Sequence, residues 1–321
     1  DIKADGAMTA LLKDAINPNL VQTLEGTPAF IHGGPFANIA HGTNSIIATR
    51  LALSLADYVV TETGFASDLG AEKFFDIVVR TGQVPAPAAC VLVSTLRALK
   101  YHGGVKIAEL PNVNLKAVEA GFDNLRKHIE NLKIFGVPFV VALNLFPADH
   151  QSEIELWTEL IKQEKARYAL SNVYNQGGEG GLELAAEVMK AMAEDKVNFQ
   201  FLYAADQPLL KKVEAIALKI YGADGVKVET AARKKIELYE QLGLSNLPVC
   251  VAKTQASLSD DSKKIGRPRG WNLTLTNASL SSGAGFVVVH CGDIMTMPGL
   301  PKAPAAEKID VDENGKIIGM I

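Results

Sequence analysis

A chain of 321 residues is long for one core, and 48% hydrophobic residues are enough to fill two or three. The net charge of −4 with dispersed basic residues gives no indication of a nucleic-acid surface. The longest apolar runs, such as 139–143, are strand-sized and too short to span a membrane, and no signal peptide is visible.

In chain order, the strand-like runs are 29–32, 58–61, 89–94, 139–143, 167–170, 199–203 and 249–252. Helix-like stretches fall at 44–55, 115–135, 152–164, 181–194, 209–220 and 230–242. In the second of these, Leu115, Val118, Phe122, Leu125, Ile129, Leu132 and Phe135 recur every three or four residues, as an amphipathic helix requires. This alternation predicts an α/β fold of mostly parallel sheets flanked by helices. After residue 270 the short runs 271–276 and 285–290 predict a small β-rich C-terminal unit. Boundaries are expected near 135 and 245, giving units 1–135, 136–245 and 246–321. The last unit carries a Pro- and Gly-rich stretch at 297–306 and a hairpin turning at Asn314-Gly315. Cys90, Cys250 and Cys291 are odd in number, widely spaced and set in apolar runs, so they read as reduced core thiols of a cytosolic protein without zinc-type spacing.

Four constellations carry chemistry. The run Ile31-His32-Gly33-Gly34-Pro35-Phe36-Ala37-Asn38-Ile39-Ala40-His41-Gly42 follows a strand and precedes a helix, so its bare backbone suits a small anion at a helix N-terminus. Its other reading is a tight connection that binds nothing. Asn144, Phe146 and Pro147 end the 139–143 strand, where ligands of open α/β sheets collect, and an exposed Phe there can stack a flat heteroaromatic ring or plug the core. Glu62, Asp68, Glu72 and Lys73 either organise a hard cation or a substrate amine, or are solvated and capping charges. Arg97, Lys100 and His102 follow the 89–94 strand and either face an anion or are surface charges at the mouth of the sheet. His41, His128, His150 and His290 show no Ser or Cys partner pattern, which argues against a hydrolase triad. Gly33-Gly34-Pro35 is not the G-x-G-x-x-G of a nicotinamide oxidoreductase.

Five strings closely resemble formate–tetrahydrofolate ligases: 36–42, 62–75 (ETGFASDLGAEKFF), 97–104 (RALKYHGG), 253–261 (KTQASLSDD) and 292–302 (GDIMTMPGLPK). The resemblance implies ATP-dependent ligation of formate to tetrahydrofolate through formyl phosphate, giving 10-formyltetrahydrofolate, ADP and phosphate. It implies ATP with Mg2+, a monovalent cation activator (K+ or NH4+), a homotetramer and a cytoplasmic setting. By the same resemblance Gly34, Phe36, Asn38, His41 and Arg97 serve the phosphate and formyl end. Asn144, Phe146, Pro147, Tyr174, Gly177, Glu179 and Lys100 then serve the folate. Phe146 forms one side of a pterin clamp, and Tyr174, before Gly177-Gly178-Glu179-Gly180-Gly181, stands where the family usually has tryptophan. The metal ligands are not assigned. The sequence contains no G-x-x-x-x-G-K-[ST] phosphate loop. It therefore reads as a C-terminal portion of such an enzyme, with a P-loop NTPase-like large domain left incomplete and an upstream segment of the same enzyme as a missing partner. The chain alone is expected to be inactive. The alternative is a non-catalytic folate-binding or assembly module derived from such a ligase.

Overall fold

The structure, a computed structural model, describes residues 3–292, 294, 303, 304, 307, 309–313 and 317–319. α1 (Asp5–Leu12) leads to a hairpin of β1 (Asn19–Gln22) and β2 (Pro28–Ile31), paired antiparallel. α2 (Ile46–Leu55) starts at Ser45, whose hydroxyl accepts from Ala48 N at 3.0 Å and satisfies one open amide of the first turn. A buried helical run follows, with wide π turns at Ser67–Ala71 and Phe74–Val78 and a 3-10 turn at Val79–Thr81.

The first large sheet is parallel. It is built from β3 (Cys90–Ser94), α3 (Leu96–His102), α4 (Leu115–Phe135), β4 (Phe139–Asn144), α5 (Gln151–Gln163) and β5 (Arg167–Ser171), with strand order β3-β4-β5. A helix lies in each crossover, as parallel neighbours require. The short α6 (Val173–Gln176) and then α7 (Leu182–Glu194) leave the end of β5. α4 takes its expected bounds. Asn114 caps its start and Gly136, at φ +68°, ends it, while Val118, Phe122, Leu125, Ile129, Leu132 and Phe135 are buried. Each such side chain contributes about 1.5–3 kcal/mol by leaving water.

The second sheet is mixed. α8 (Leu209–Ile216), β6 (Gly225–Val228), α9 (Thr230–Gln241), β7 (Val249–Ala252), β8 (Asn272–Ser281) and β9 (Phe286–Cys291) give the order β6-β8-β9-β7, with β8 and β9 antiparallel and the outer pairings parallel. The two strands after residue 270 thus lie in the middle of a sheet that begins at residue 225. β10 (Asp310–Val311) pairs with β11 (Ile317–Ile318), while Asn314-Gly315 and most of 297–306 lie outside the described residues. One core cluster joins Phe135 and Trp157 to Ile220, Leu275 and Val289, so both sheets share it.

Three sequence expectations fail, each for a physical reason. Residues 58–61 form no strand: Val60 is 97% exposed, and this stretch leads to a single bridge between Thr63 and Thr43. Residues 199–203 join no ladder and bend at Leu202 and Tyr203. Their groups are satisfied elsewhere: Leu202 N donates to Asp76 Oδ1 at 3.2 Å, and the Arg80 guanidinium lies 4.1 Å from the Phe201 ring centre and 4.6 Å from that of Tyr203. The 29–32 strand enters a hairpin rather than a parallel sheet, because β1, which the apolar pattern missed, precedes it.

Candidate active site

The parallel sheet brings several of the expected residues to one edge. Adjacent strands β3, β4 and β5 run in register and end together at their carboxyl termini. From there the chain delivers exposed Arg97 in the first turn of α3, Asn144 and Phe146 after β4, and Tyr174 on α6 after β5. This is where open α/β sheets bind ligands.

Phe146 is held by a turn rather than by the core. Asp149 N donates to Phe146 O at 3.0 Å, and Asp149 Oδ2 accepts from Phe146 N at 2.8 Å, with exposed Pro147 at the second position of the turn. Phe146 is half-buried and Tyr174 is 66% exposed. Their ring centres lie 5.0 Å apart at 54°, in contact with each other. A flat ring between them needs about 7 Å, two stacking distances, so the pair is closed and must part to admit one. Beside it, Asn144 Oδ1 is buried without a hydrogen-bond partner, an acceptor that a ligand N–H can satisfy.

Gly177 follows α6 at φ +59° and ψ −146°, a conformation for which a side chain is a steric burden. Gly178 N donates to Glu25 Oε1 at 2.6 Å, and Asn172 N donates to Gly180 O at 2.9 Å. Glu179 is exposed. Lys100 does not join this edge. It is 2% exposed, and its ammonium donates to Glu153 Oε2 and to Asn112 O, both at 3.1 Å, so it fastens α3 to α5 instead of facing a ligand.

The 33–42 loop lies elsewhere, over β7 and β9: Ile39 and Ala40 pack on Cys250, Ala252, Phe286 and Val288. Gly34 is exposed, Phe36 is half-buried against Phe65 and Asn38 is buried. Gly42, at φ +63°, is required, since a Cβ there would run into Ala37. His41 Nδ1 is buried without a hydrogen-bond partner, and burial, then the Lys73 charge, push the imidazolium pKa below its usual value. His41 is therefore neutral near pH 7 and offers one unpaired ring nitrogen to the loop.

Beneath the loop lie the charges expected at the mouth of a strand. Glu62 is exposed, but Asp68, Glu72 and Lys73 are buried, the last two completely. Lys73 Nζ donates to Ala37 O and pins the loop from below. Lys253 Nζ pairs with Asp68 Oδ2 at 2.8 Å and donates to Ser257 O at 2.6 Å and Thr254 O at 3.1 Å. Burial opposes ionisation of Asp68, but Lys253 and His128 outweigh it and hold its pKa below normal. Burial pushes His128 down to about 4, and its Nδ1 meets Ser67 Oγ at 2.8 Å. Among the described residues no three His, Cys, Asp or Glu side chains converge as a metal cage, and Asp68 and Asp76 are taken by Lys253 and Arg80.

The sequence model describing formate–tetrahydrofolate ligase matches residues 1–321, the entire chain. The chain belongs to that family. Membership implies a ligase of one-carbon metabolism that uses formate, ATP and tetrahydrofolate. Among the described residues no helix is long and apolar enough to cross a membrane. For a formate–tetrahydrofolate ligase the sequence reading missed two contacts that shape the site. Lys253 lies in one of the strings that carried the resemblance, yet its role is to neutralise Asp68 in the interior. Glu25 sits in a polar turn and carries no local sign that its partner is in a glycine run far along the chain.

Proposed function

We propose that this chain supplies the folate-binding and acyl-transfer surface for ATP-dependent formylation of tetrahydrofolate to 10-formyltetrahydrofolate. The observation that carries the reading is the Phe146–Tyr174 pair beside the unsatisfied Asn144 Oδ1, at the carboxyl edge of a parallel sheet in a member of this family. A pterin parts the two rings and stacks between them, and its N–H edge donates to Asn144.

Formate cannot be attacked directly, because oxide is a poor leaving group. A formate oxygen therefore displaces ADP from the terminal phosphate of ATP and gives formyl phosphate. The folate amine then attacks the formyl carbon, the C–O bond to phosphate breaks, phosphate leaves and the amine loses a proton. Positioning and exclusion of water are what such a transfer asks of a protein, since the mixed anhydride hydrolyses in bulk water. In this proposal the exposed Gly33-Gly34 backbone and neutral His41 receive the phosphate and formyl end, with Phe36 and Asn38 forming the wall. Arg97 offers a bidentate contact to an anion. Lys100 is left to its ion pair with Glu153.

The nucleotide step is assigned to no residue of this chain, whose sequence holds no G-x-x-x-x-G-K-[ST] run. That feature favours one competing reading, a folate-binding or assembly module without turnover. Calorimetric titration with tetrahydrofolate and, separately, with ATP tests both. The expected result is folate binding that Phe146→Ala removes, with ATP silent and no turnover by the chain alone. Turnover sinks the module reading, and failure to bind folate sinks the clamp.

A further inference from the structure

The β1–β2 hairpin is exposed along all of β1, and its turn carries fully exposed Leu24. An isolated two-stranded hairpin is marginal in water, so its position depends on what holds its two ends. Its base is tied to the start of α2. His32 N donates to Asn44 Oδ1 at 3.0 Å, Asn44 Nδ2 donates to Phe30 O at 2.8 Å, and His32 Nδ1 meets Ser45 Oγ at 2.6 Å.

The tip is tied to a segment 153 residues away in sequence, where the Glu25 carboxylate accepts the Gly178 N–H at 2.6 Å. Both flanking glycines are fitted to that carboxylate. A Cβ on Gly177 would sit 2.6 Å from Glu25 Oε1, and one on Gly178 would collide with Oε2. Charge-assisted bonds to backbone amides are roughly twice as strong as neutral ones, and this one grips the turn directly after the helix that carries Tyr174.

We propose that Glu25 is a positioning residue for the folate pocket: by holding Gly178 it sets the turn that keeps Tyr174 opposite Phe146. The inference rests on the reading of Phe146 and Tyr174 as a pterin clamp. The rings stand 5.0 Å apart and must separate by about 2 Å to admit a stacked ligand, which makes exposed α6 and the glycine run the part that yields. Glu25 limits that movement and returns Tyr174 to the ligand face. The same hairpin continues through β2 into the 33–42 loop, so one strap spans the pterin end and the anion end of the site.

Calorimetric titration of the full chain with tetrahydrofolate, on Glu25→Ala, Glu25→Gln, Gly178→Ala and Phe146→Ala, tests it. Glu25→Ala is expected to weaken binding about tenfold, the loss of one charge-assisted bond. Glu25→Gln keeps an acceptor oxygen without the charge and recovers about half of that loss, while Gly178→Ala, which drives the carboxylate off, reproduces it in full. Amide hydrogen exchange at Gly178 speeds up in Glu25→Ala and returns toward normal in Glu25→Gln. Unchanged affinity in Glu25→Ala, with binding lost in Phe146→Ala, overturns the positioning role and leaves the clamp standing. Binding that survives Phe146→Ala overturns the clamp and this inference with it. A lowered melting temperature in Glu25→Ala together with no rescue by Gln makes Glu25 a fold residue and also overturns the proposal.

Discussion

The carboxyl edge of the parallel sheet and the floor of the 33–42 loop differ in how deeply they bury their polar and charged groups. At the edge, Arg97 and Tyr174 are exposed, Phe146 is half-buried and Asn144 Oδ1 has no hydrogen-bond partner. Under the loop, Lys73 and Lys253 are fully buried; Lys73 donates to Ala37 O, and Lys253 reaches Asp68 Oδ2, Thr254 O and Ser257 O. Exposed side chains around an unpartnered amide oxygen are available to a ligand, whereas fully buried charges such as the Lys253–Asp68 pair hold the fold. The edge should therefore answer to mutation in binding, and the floor in stability.

The largest expected effect tests the floor. Lys253→Met leaves Asp68 as a buried, uncompensated carboxylate and should cost about 3–5 kcal/mol in chemical denaturation. A loss below about 1 kcal/mol, the scale of exposed pairs, would mean that water reaches Asp68 and would break the contrast between the regions. The edge has the reverse signature. Phe146→Ala should weaken tetrahydrofolate binding roughly thirtyfold, about 2 kcal/mol, as truncating an aromatic anchor does. The denaturation midpoint should stay close to that of the parent, because the Phe146 ring is only half-buried. A collapse of stability with binding would make Phe146 a core plug.

Glu72 gives a pH test of the floor. Both its carboxylate oxygens are buried without a hydrogen-bond partner. Burial raises its pKa well above normal and nearby Asp76 adds to this, while Lys73 and Arg80 oppose it. A carboxyl group raised in the folded state contributes stability that is complete below the ordinary carboxylate range and is lost as pH rises through the folded value. Glu72→Gln removes that titration. Its melting temperature relative to the parent should therefore rise between pH 5 and pH 8, and a constant difference would show that Glu72 is ionised in the folded state.

How far the sequence foretold these regions depends on whether the signal was local. α4 was readable to its bounds because its apolar spacing, the one signal used, lies within a single segment; the structure adds the Asn114 cap and Gly136 at its ends. The central strand β4 was readable because a strand buried on both faces is a continuous apolar run, and β3 because its Val and Leu residues form such a run although Val91 and Val93 stay exposed. Phe146 followed by Pro147 announced a turn at a strand end. The depth of Asp68, Glu72 and Lys73 did not show, since a charged string reads as solvated until a distant lysine at position 253 is placed against it. Residues 199–203 have the composition of a strand, but the competing partners Asp76 and Arg80 arrive from a different helical run. Lys100 misled for the same reason: Glu153, on α5, takes it inside.

The smallest expected effect sharpens the edge. Tyrosine at position 174 offers a smaller face than the tryptophan usual in the family, and its exposure leaves room for a larger ring. Tyr174→Trp adds stacking area without disturbing packed neighbours. A gain of about 0.5–1 kcal/mol, some two- to fivefold in tetrahydrofolate affinity, is the scale of an improved aromatic contact. Indole fluorescence quenched by the bound pterin would report the same site directly. Unaltered affinity with strong quenching would place the ring near the pterin but not against it, which restricts the clamp to Phe146 and makes the 5.0 Å ring contact a resting closure rather than half of a binding slot.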